Sequence, residues 1–156
     1  MSPRKRHWLM KSEPEDFSID DLARVRTEPW TGVRNYQARN FMRDGMRKGD
    51  GVLFYHSSCA VPGVAGIAEV ASAAYPDPSQ FDSKSDYFDA GSERVAPRWF
   101  LVDVKYKRKL KRVITLAELK GRKELKDMVL LRPGNRLSVS PVTKQEWDFI
   151  LGLEDA

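Results

Sequence analysis

Apolar residues fall into short runs bounded by glycine, proline and charged residues, which is typical of a chain built mainly from short strands. Five runs predict strands: His7–Ser12, Val52–Tyr55, about Val64–Val70, Trp99–Tyr106 and Leu137–Val142. Gly63 and Gly66 border and interrupt the third run. They indicate a bulge or a close approach of the backbone at that strand.

Capping signals predict three helices between and after these strands. Ser18 with Asp21 three residues later has the pattern of a capping box, and Thr143 with Glu146 repeats it at the start of a C-terminal helix. A shorter helix is predicted after Thr115, whose hydroxyl can accept a hydrogen bond from the first turn.

A fourth helix is predicted just after the loop that contains Trp30. Thr31 is its candidate cap, and the helix is expected to run from Val33 to Arg43 and to stop at Gly45. Its unpaired N–H groups would then form an anion site beside Trp30.

The order of these elements predicts an α+β fold, a compact barrel-like sheet with helices on its outside. Residues 75–97 are rich in Pro, Asp and Ser and predict a long irregular excursion, a kind of segment that often carries function. No internal repeat or composition break divides the chain, so residues 1–156 are expected to form a single domain.

Composition narrows the class of protein. Hydrophobic residues make up 41% and charged residues 31% of the chain, which argues against disorder and membrane insertion. No signal-length apolar stretch follows the basic N-terminus Met1–His7, so we expect no export. Cys59 is the only cysteine, which excludes an internal disulfide and favours a cytoplasmic location, or a nuclear one in a eukaryote.

Positive charge is concentrated in one segment. Residues 104–126 hold ten Lys or Arg against two Asp or Glu, a balance of +8, and subtracting this from the total of +5 leaves −3 for the rest. Such a patch is typical of a protein with a polyanionic partner, although a solvated charged face has the same pattern. The candidate phosphate-binding residues are Lys105, Lys107, Arg108, Lys109 and Lys111.

Several blocks of sequence resemble the EVE domain family. They are Trp8–Pro14, Trp30–Asn40, Phe54–Ser57, Ala74–Asp77, Pro97–Trp99 with Val102–Val104, and Arg136–Val139. The resemblance implies a PUA-like fold of about five to six mainly antiparallel strands flanked by helices, related to YTH and ASCH domains. It also implies a reader of modified bases. Ser58 departs from the pattern, which often has Asn there, so no base contact is assigned to it.

Two tryptophans are the candidate walls of a base-binding pocket. By similarity to YTH domains Trp30 would be the first wall, and the alternative is that it plugs the end of the barrel. Trp99, preceded by Arg98, is the candidate for the opposite wall, together with Tyr75 or Tyr87. As a strand residue Trp99 could equally belong to the core.

Polar candidates surround this proposed pocket. Lys11 and Ser12 end the first strand and match the Lys-Ser pair of the YTH pattern. Asn35 and Arg39 are four residues apart on one helix, where Asn can pair with a base edge and Arg with phosphate. The alternative is that Asn35 satisfies loop backbone. Tyr36 lies between them and is also a candidate for contact with the ligand.

The end of the second predicted strand completes the candidate set. Tyr55, His56 and Ser57 stand where side chains can reach the mouth of a barrel. His56 near Cys59 invites a catalytic interpretation, but no acidic residue that could orient the histidine lies in the local sequence.

No cofactor or metal ion is predicted. Residues 82–87 include Asp82 and Asp86 but lack the glycine required at the sixth position of a calcium loop. The resemblance to the EVE family, together with the basic segment, implies a non-catalytic, monomeric module that binds DNA or RNA through a modified, cytosine-derived base, without a membrane partner. Two alternatives stay open, an RNA-binding accessory protein without modified-base specificity and a nucleotide-processing enzyme.

Overall fold

The computed structural model describes residues 5–155, and within this range the chain forms eight strands and four α-helices. The strands are β1 His7–Ser12, β2 Thr27–Pro29, β3 Gly51–His56, β4 Gly63–Val70, β5 Tyr75–Pro76, β6 Phe100–Leu101, β7 Asp103–Thr115 and β8 Val139–Val142. The helices are α1 Ile19–Val25, α2 Tyr36–Asn40, α3 Leu116–Lys120 and α4 Lys144–Leu153, with short helical turns at Phe41–Gly45, Pro78–Phe81, Lys123–Leu125 and Val129–Leu131. The first four residues of the basic N-terminus lie outside the described residues.

Six strands form one mixed sheet in the order β2-β7-β4-β3-β1-β8. Only β1 and β3 pair in parallel, and the other neighbours are antiparallel. The sheet curls into a half-barrel flanked by helices, which confirms the predicted α+β, PUA-like architecture. β5 and β6 form a separate two-stranded sheet.

Irregular pairing along β4 helps to curl the sheet, because bulges increase local twist and bend a strand. The register shifts between Phe54 and Tyr55 on β3 and between Val64 and Gly66 on β4. Added Cβ atoms at Gly63 and Gly66 would collide with the Ile114 carbonyl and with the Ile19 side chain, respectively. The bulge and close approach predicted for these glycines are confirmed.

The two faces of the sheet bury separate apolar clusters, as the twofold alternation of a strand requires. On β3, Phe54 joins a first cluster that includes Trp30 and Ile19 of α1. Tyr55 joins a second cluster, which includes Trp147 of α4. Residues in the first cluster therefore stand on the opposite face from those in the second.

Local capping signals placed most helices correctly. Both capping boxes are present, at Ser18 with Asp21 and at Thr143 with Glu146, and Thr115 caps α3.

The described part of the chain contains no helix with the length and apolarity to cross a membrane.

The predicted start of the helix from Val33 to Arg43 is wrong, whereas its predicted stop at Gly45 is confirmed. α2 begins only at Tyr36, and a π-helical turn from Phe41 follows it. The helix starts later than predicted because Asn35 has an extended backbone, with φ −110 and ψ 128, and its side chain caps α2 by accepting from the Ala38 N–H at 2.9 Å. The anion site predicted at a helix end beside Trp30 is wrong for the same reason.

Candidate functional site

A cavity of about 550 Å³ opens to solvent where the end of β1 meets β2 and the loop that follows it. Three aromatic side chains line it: Phe17, Trp30 and Tyr87. Its polar and charged lining residues are Lys11, Ser12, Glu13, Asp16, Glu28, Thr31, Arg34, Asn35 and Ser138. The volume lies within the range of roughly 300–1,000 Å³ that is usual for small-ligand pockets.

Trp30 belongs to both the cavity wall and the core. Its side chain is only 8% exposed and packs edge-on against Phe54 at a ring-centroid distance of 5.6 Å and against Phe17 at 6.5 Å. Trp30 can therefore be a wall of the pocket and at the same time a residue that closes the end of the barrel, the two interpretations that the sequence left open. A ligand in the cavity can touch the small part of the indole that the core leaves open.

The outer rim of the cavity is tied down by contacts between distant parts of the chain. The Gly32 N–H donates to Asp77 Oδ2 at 2.8 Å, and Arg34 donates to the Tyr87 carbonyl at 2.6 Å and to Asp77 at 3.3 Å. The Tyr87 ring lies over Gly32, close enough that a Cβ there would come within 2.7 Å of it. These contacts hold Tyr87 at the mouth of the cavity.

Substituting Gly32 by alanine is expected to displace Tyr87 and to destabilise the protein more than the same change at Gly134. Both glycines have positive φ, +88 and +76, so both substitutions strain the backbone by about 1–2 kcal/mol. Only Gly32 also has the Tyr87 ring in the way, since nothing lies within 4 Å of an added Cβ at Gly134. Urea denaturation of the two variants measures the difference, and equal losses would contradict the close packing of Tyr87.

Two charged groups in the cavity are partly withdrawn from water. Burial lowers the pKa of the Lys11 ammonium and raises the pKa of the Glu28 carboxyl. Among residues 5–155 the Glu28 carboxylate makes no hydrogen bond or ion pair. The cavity therefore combines aromatic walls with partly buried charged groups of both signs, the Glu28 carboxylate as an acceptor and the Lys11 ammonium as a donor.

The candidates around Trp99 form a second cluster outside the cavity lining. The Trp99 ring stacks on Tyr36 at 4.8 Å, and its Nε1 donates to Asp89 Oδ2 at 2.7 Å. Arg39 donates to the Arg98 carbonyl at 2.6 Å. The structure thus brings Lys11, Ser12, Trp30 and Asn35 together, and it does not place Trp99 opposite Trp30.

The candidates at the end of β3 also lie outside the cavity lining. Tyr55 is 3% exposed in the second apolar cluster, and the Ser57 N–H donates to the Ser12 carbonyl at 3.0 Å. His56 Nε2 accepts from the Ile19 N–H at 3.1 Å, and burial lowers the pKa of the imidazole. A neutral imidazole has one acceptor nitrogen, and this hydrogen bond occupies it.

The candidate phosphate-binding residues of β7 are all paired with carboxylates of the same chain. The pairs are Lys105 and Lys107 with Glu69, Arg108 with Glu154, Lys109 with Asp20, and Lys111 with Asp155. Much of the local positive charge is therefore compensated. A phosphate that bound here would have to compete with these carboxylates.

The sequence analysis did not select several of the residues that line the cavity. Phe17 directly precedes the cap of α1, a position where an apolar residue often packs against the helix, so its signal was present. Glu28 gives no such signal in the sequence, and it lies on β2, where it pairs with Val104. No group of His, Cys, Asp or Glu among the described residues could hold a metal ion.

The chain is similar to known proteins in both sequence and structure. Residues 6–153 match the EVE domain family. Human thymocyte nuclear protein 1 is 45% identical over 96% of this chain and 74% of its own length. The crystal structure of human THYN1 in complex with 5-methylcytosine-containing DNA superposes with a TM-score of 0.93 at 44% identity, covering 97% of this chain and 99% of that one. The structure of a hypothetical protein from Leishmania major superposes with a TM-score of 0.93 at 50% identity, and the match covers 97% of this chain and 96% of that one.

Proposed function

The chain belongs to the EVE domain family, and from this premise we propose that it is a non-catalytic module that binds DNA and holds a 5-methylcytosine-type base in the cavity beside Trp30. The observation that carries the proposal is the cavity itself, an aromatic-lined recess of about 550 Å³. The complex of a 44% identical protein with DNA that contains 5-methylcytosine supports the choice of ligand.

The aromatic lining suits a base that has left the stack. Taking one base out of a duplex costs a few kcal/mol, and stacking on an aromatic side chain returns about 1–3 kcal/mol per base. Trp30 is fixed by the core and Phe17 packs edge-on to it, so neither ring has to be ordered when the base enters. Tyr87 is held at the mouth of the cavity, where it can contact the base from the rim.

Glu28 is the group suited to read the base. The exocyclic N4 amino group of cytosine is a donor and a carboxylate accepts from it, whereas thymine has an acceptor oxygen at the same place. Both 5-methylcytosine and thymine carry a methyl group at C5. An unpaired carboxylate in the cavity therefore favours the cytosine derivative over its deamination product.

Glu28→Gln tests this role. The wild-type protein is expected to prefer an oligonucleotide with 5-methylcytosine over the same sequence with thymine by roughly 10- to 100-fold, the equivalent of about 1–3 kcal/mol. The amide offers a donor to the thymine oxygen as well as an acceptor, so the variant should lose most of that preference while its melting temperature stays close to the wild-type value. Competition binding with the two oligonucleotides measures this. An unchanged preference in the variant would remove Glu28 from base recognition.

A further inference from the structure

A second, polar cleft of about 420 Å³ lies next to the cavity. Asn35 lines both recesses, and Leu137 lines the cleft while its neighbour Ser138 lines the cavity. The two recesses therefore meet along two separate segments of the chain. A ligand that fills the cavity and continues along the surface can pass directly into the cleft.

The cleft presents positive charge that the chain itself does not neutralise. Arg132 and Arg136 both line it and both are exposed. Within residues 5–155 neither guanidinium forms an ion pair with a carboxylate, and no Asp or Glu is among the residues that line the cleft. The cations of β7 differ in this respect, because each of the five candidates there already has a carboxylate partner.

The loop that carries the two arginines is held by its own hydrogen bonds. The Arg132 N–H donates to the Val129 carbonyl at 3.1 Å, and the Asn135 N–H donates to the Arg132 carbonyl at 3.1 Å. The Asn135 side chain accepts from the Leu137 N–H at 3.1 Å, and Leu130 is buried beneath the loop. The two guanidinium groups are thus presented from an ordered backbone beside the cavity.

We propose that this cleft binds the phosphate backbone of the strand whose modified base occupies the cavity, with Arg132 and Arg136 as the phosphate contacts. The inference rests on the proposed function and adds the path of the strand to it. A guanidinium without an internal partner can offer its paired N–H donors to a phosphate directly. A cation on β7 would first have to give up a carboxylate.

The test compares two double variants that remove the same amount of charge. One is Arg132→Gln with Arg136→Gln, and the matched control is Lys109→Gln with Lys111→Gln on β7. The probe is a DNA duplex containing 5-methylcytosine, with an unmodified duplex of the same sequence, and affinity is measured across a range of salt concentrations. Thermal melting of each variant checks that the fold is retained, which the exposure of all four side chains favours.

The arginine variant should lose roughly 10-fold or more in affinity at low salt, and its salt slope should fall by about 2, since each neutralised phosphate of B-DNA contributes about 0.9. Both duplexes should be affected equally, so the preference for 5-methylcytosine should survive. The inference would be overturned if the affinity of the arginine variant depended on salt as steeply as that of the wild type, or if the lysine control lost more affinity than the arginine variant. If wild-type protein binds both duplexes equally, the base-reading proposal fails while the arginine result still decides on the cleft.

Discussion

Trp30→Ala is expected to lower the free energy of unfolding by about 3–5 kcal/mol, the usual cost of removing a buried large aromatic side chain. The indole is 8% exposed and fills the space between Phe17 and Phe54, so its removal leaves a hole in the first apolar cluster. For a chain of this size the melting temperature should fall by roughly 6–20 °C. Urea and thermal denaturation measure both quantities.

Trp30→Phe is the matched control for this prediction. It keeps an aromatic ring in the same place and should recover a large part of the lost stability. A melting temperature in Trp30→Ala that equals the wild-type value would contradict the placement of the indole in the core. The expected instability also means that a loss of DNA binding in Trp30→Ala would not by itself identify a ligand contact.

Filling the cavity from its exposed side separates binding from stability. Thr31 lines the cavity and is exposed, so Thr31→Trp should place a second indole in the recess without disturbing the core. The affinity for DNA containing 5-methylcytosine should fall roughly 10- to 100-fold, because base stacking contributes about 1–3 kcal/mol and each 1.4 kcal/mol is tenfold. Titration with a fluorescent oligonucleotide measures the change.

Thr27→Trp is the control for this experiment. Thr27 is also exposed and lies on β2, but it does not line the cavity. It should keep the wild-type affinity, and both variants should melt close to the wild-type temperature. Full affinity in Thr31→Trp would show that the base does not enter this recess.

Local sequence signals predicted the elements that depend on neighbouring residues. The cap at Ser18 and the strand β1 needed only nearby side chains and alternation, and both were placed correctly. The segment before α2 could not be predicted in this way. Its course depends on Asp77, which holds the Gly32 N–H across 45 residues of sequence.

The pairing of the β7 cations could not be predicted from the sequence for a similar reason. A local run of lysines and arginines is visible in the sequence, but the carboxylates that pair with these cations lie far away along the chain. Lys109 pairs with Asp20, 89 residues away, and Arg108 pairs with Glu154, 46 residues away. Charge patterning within one segment therefore cannot establish which cations are free to bind phosphate.

The candidate site was predicted only in part. The resemblance to a family of base readers selected Trp30, Lys11 and Ser12, and these do line one cavity. The choice of Trp99 as the opposite wall failed because its ring is occupied by Tyr36 and its Nε1 by a carboxylate. Which aromatic residues face each other is decided by tertiary packing, and no spacing in the sequence encodes it.

The most direct test of the account is the position of the modified base in the complex. A DNA duplex with a ¹³C-labelled methyl group on one 5-methylcytosine allows nuclear Overhauser contacts from that methyl group to be measured in solution. We predict contacts with the indole protons of Trp30 and the loss of those with the stacked neighbouring bases. Binding with the contacts inside the duplex intact and none to Trp30 would contradict the account.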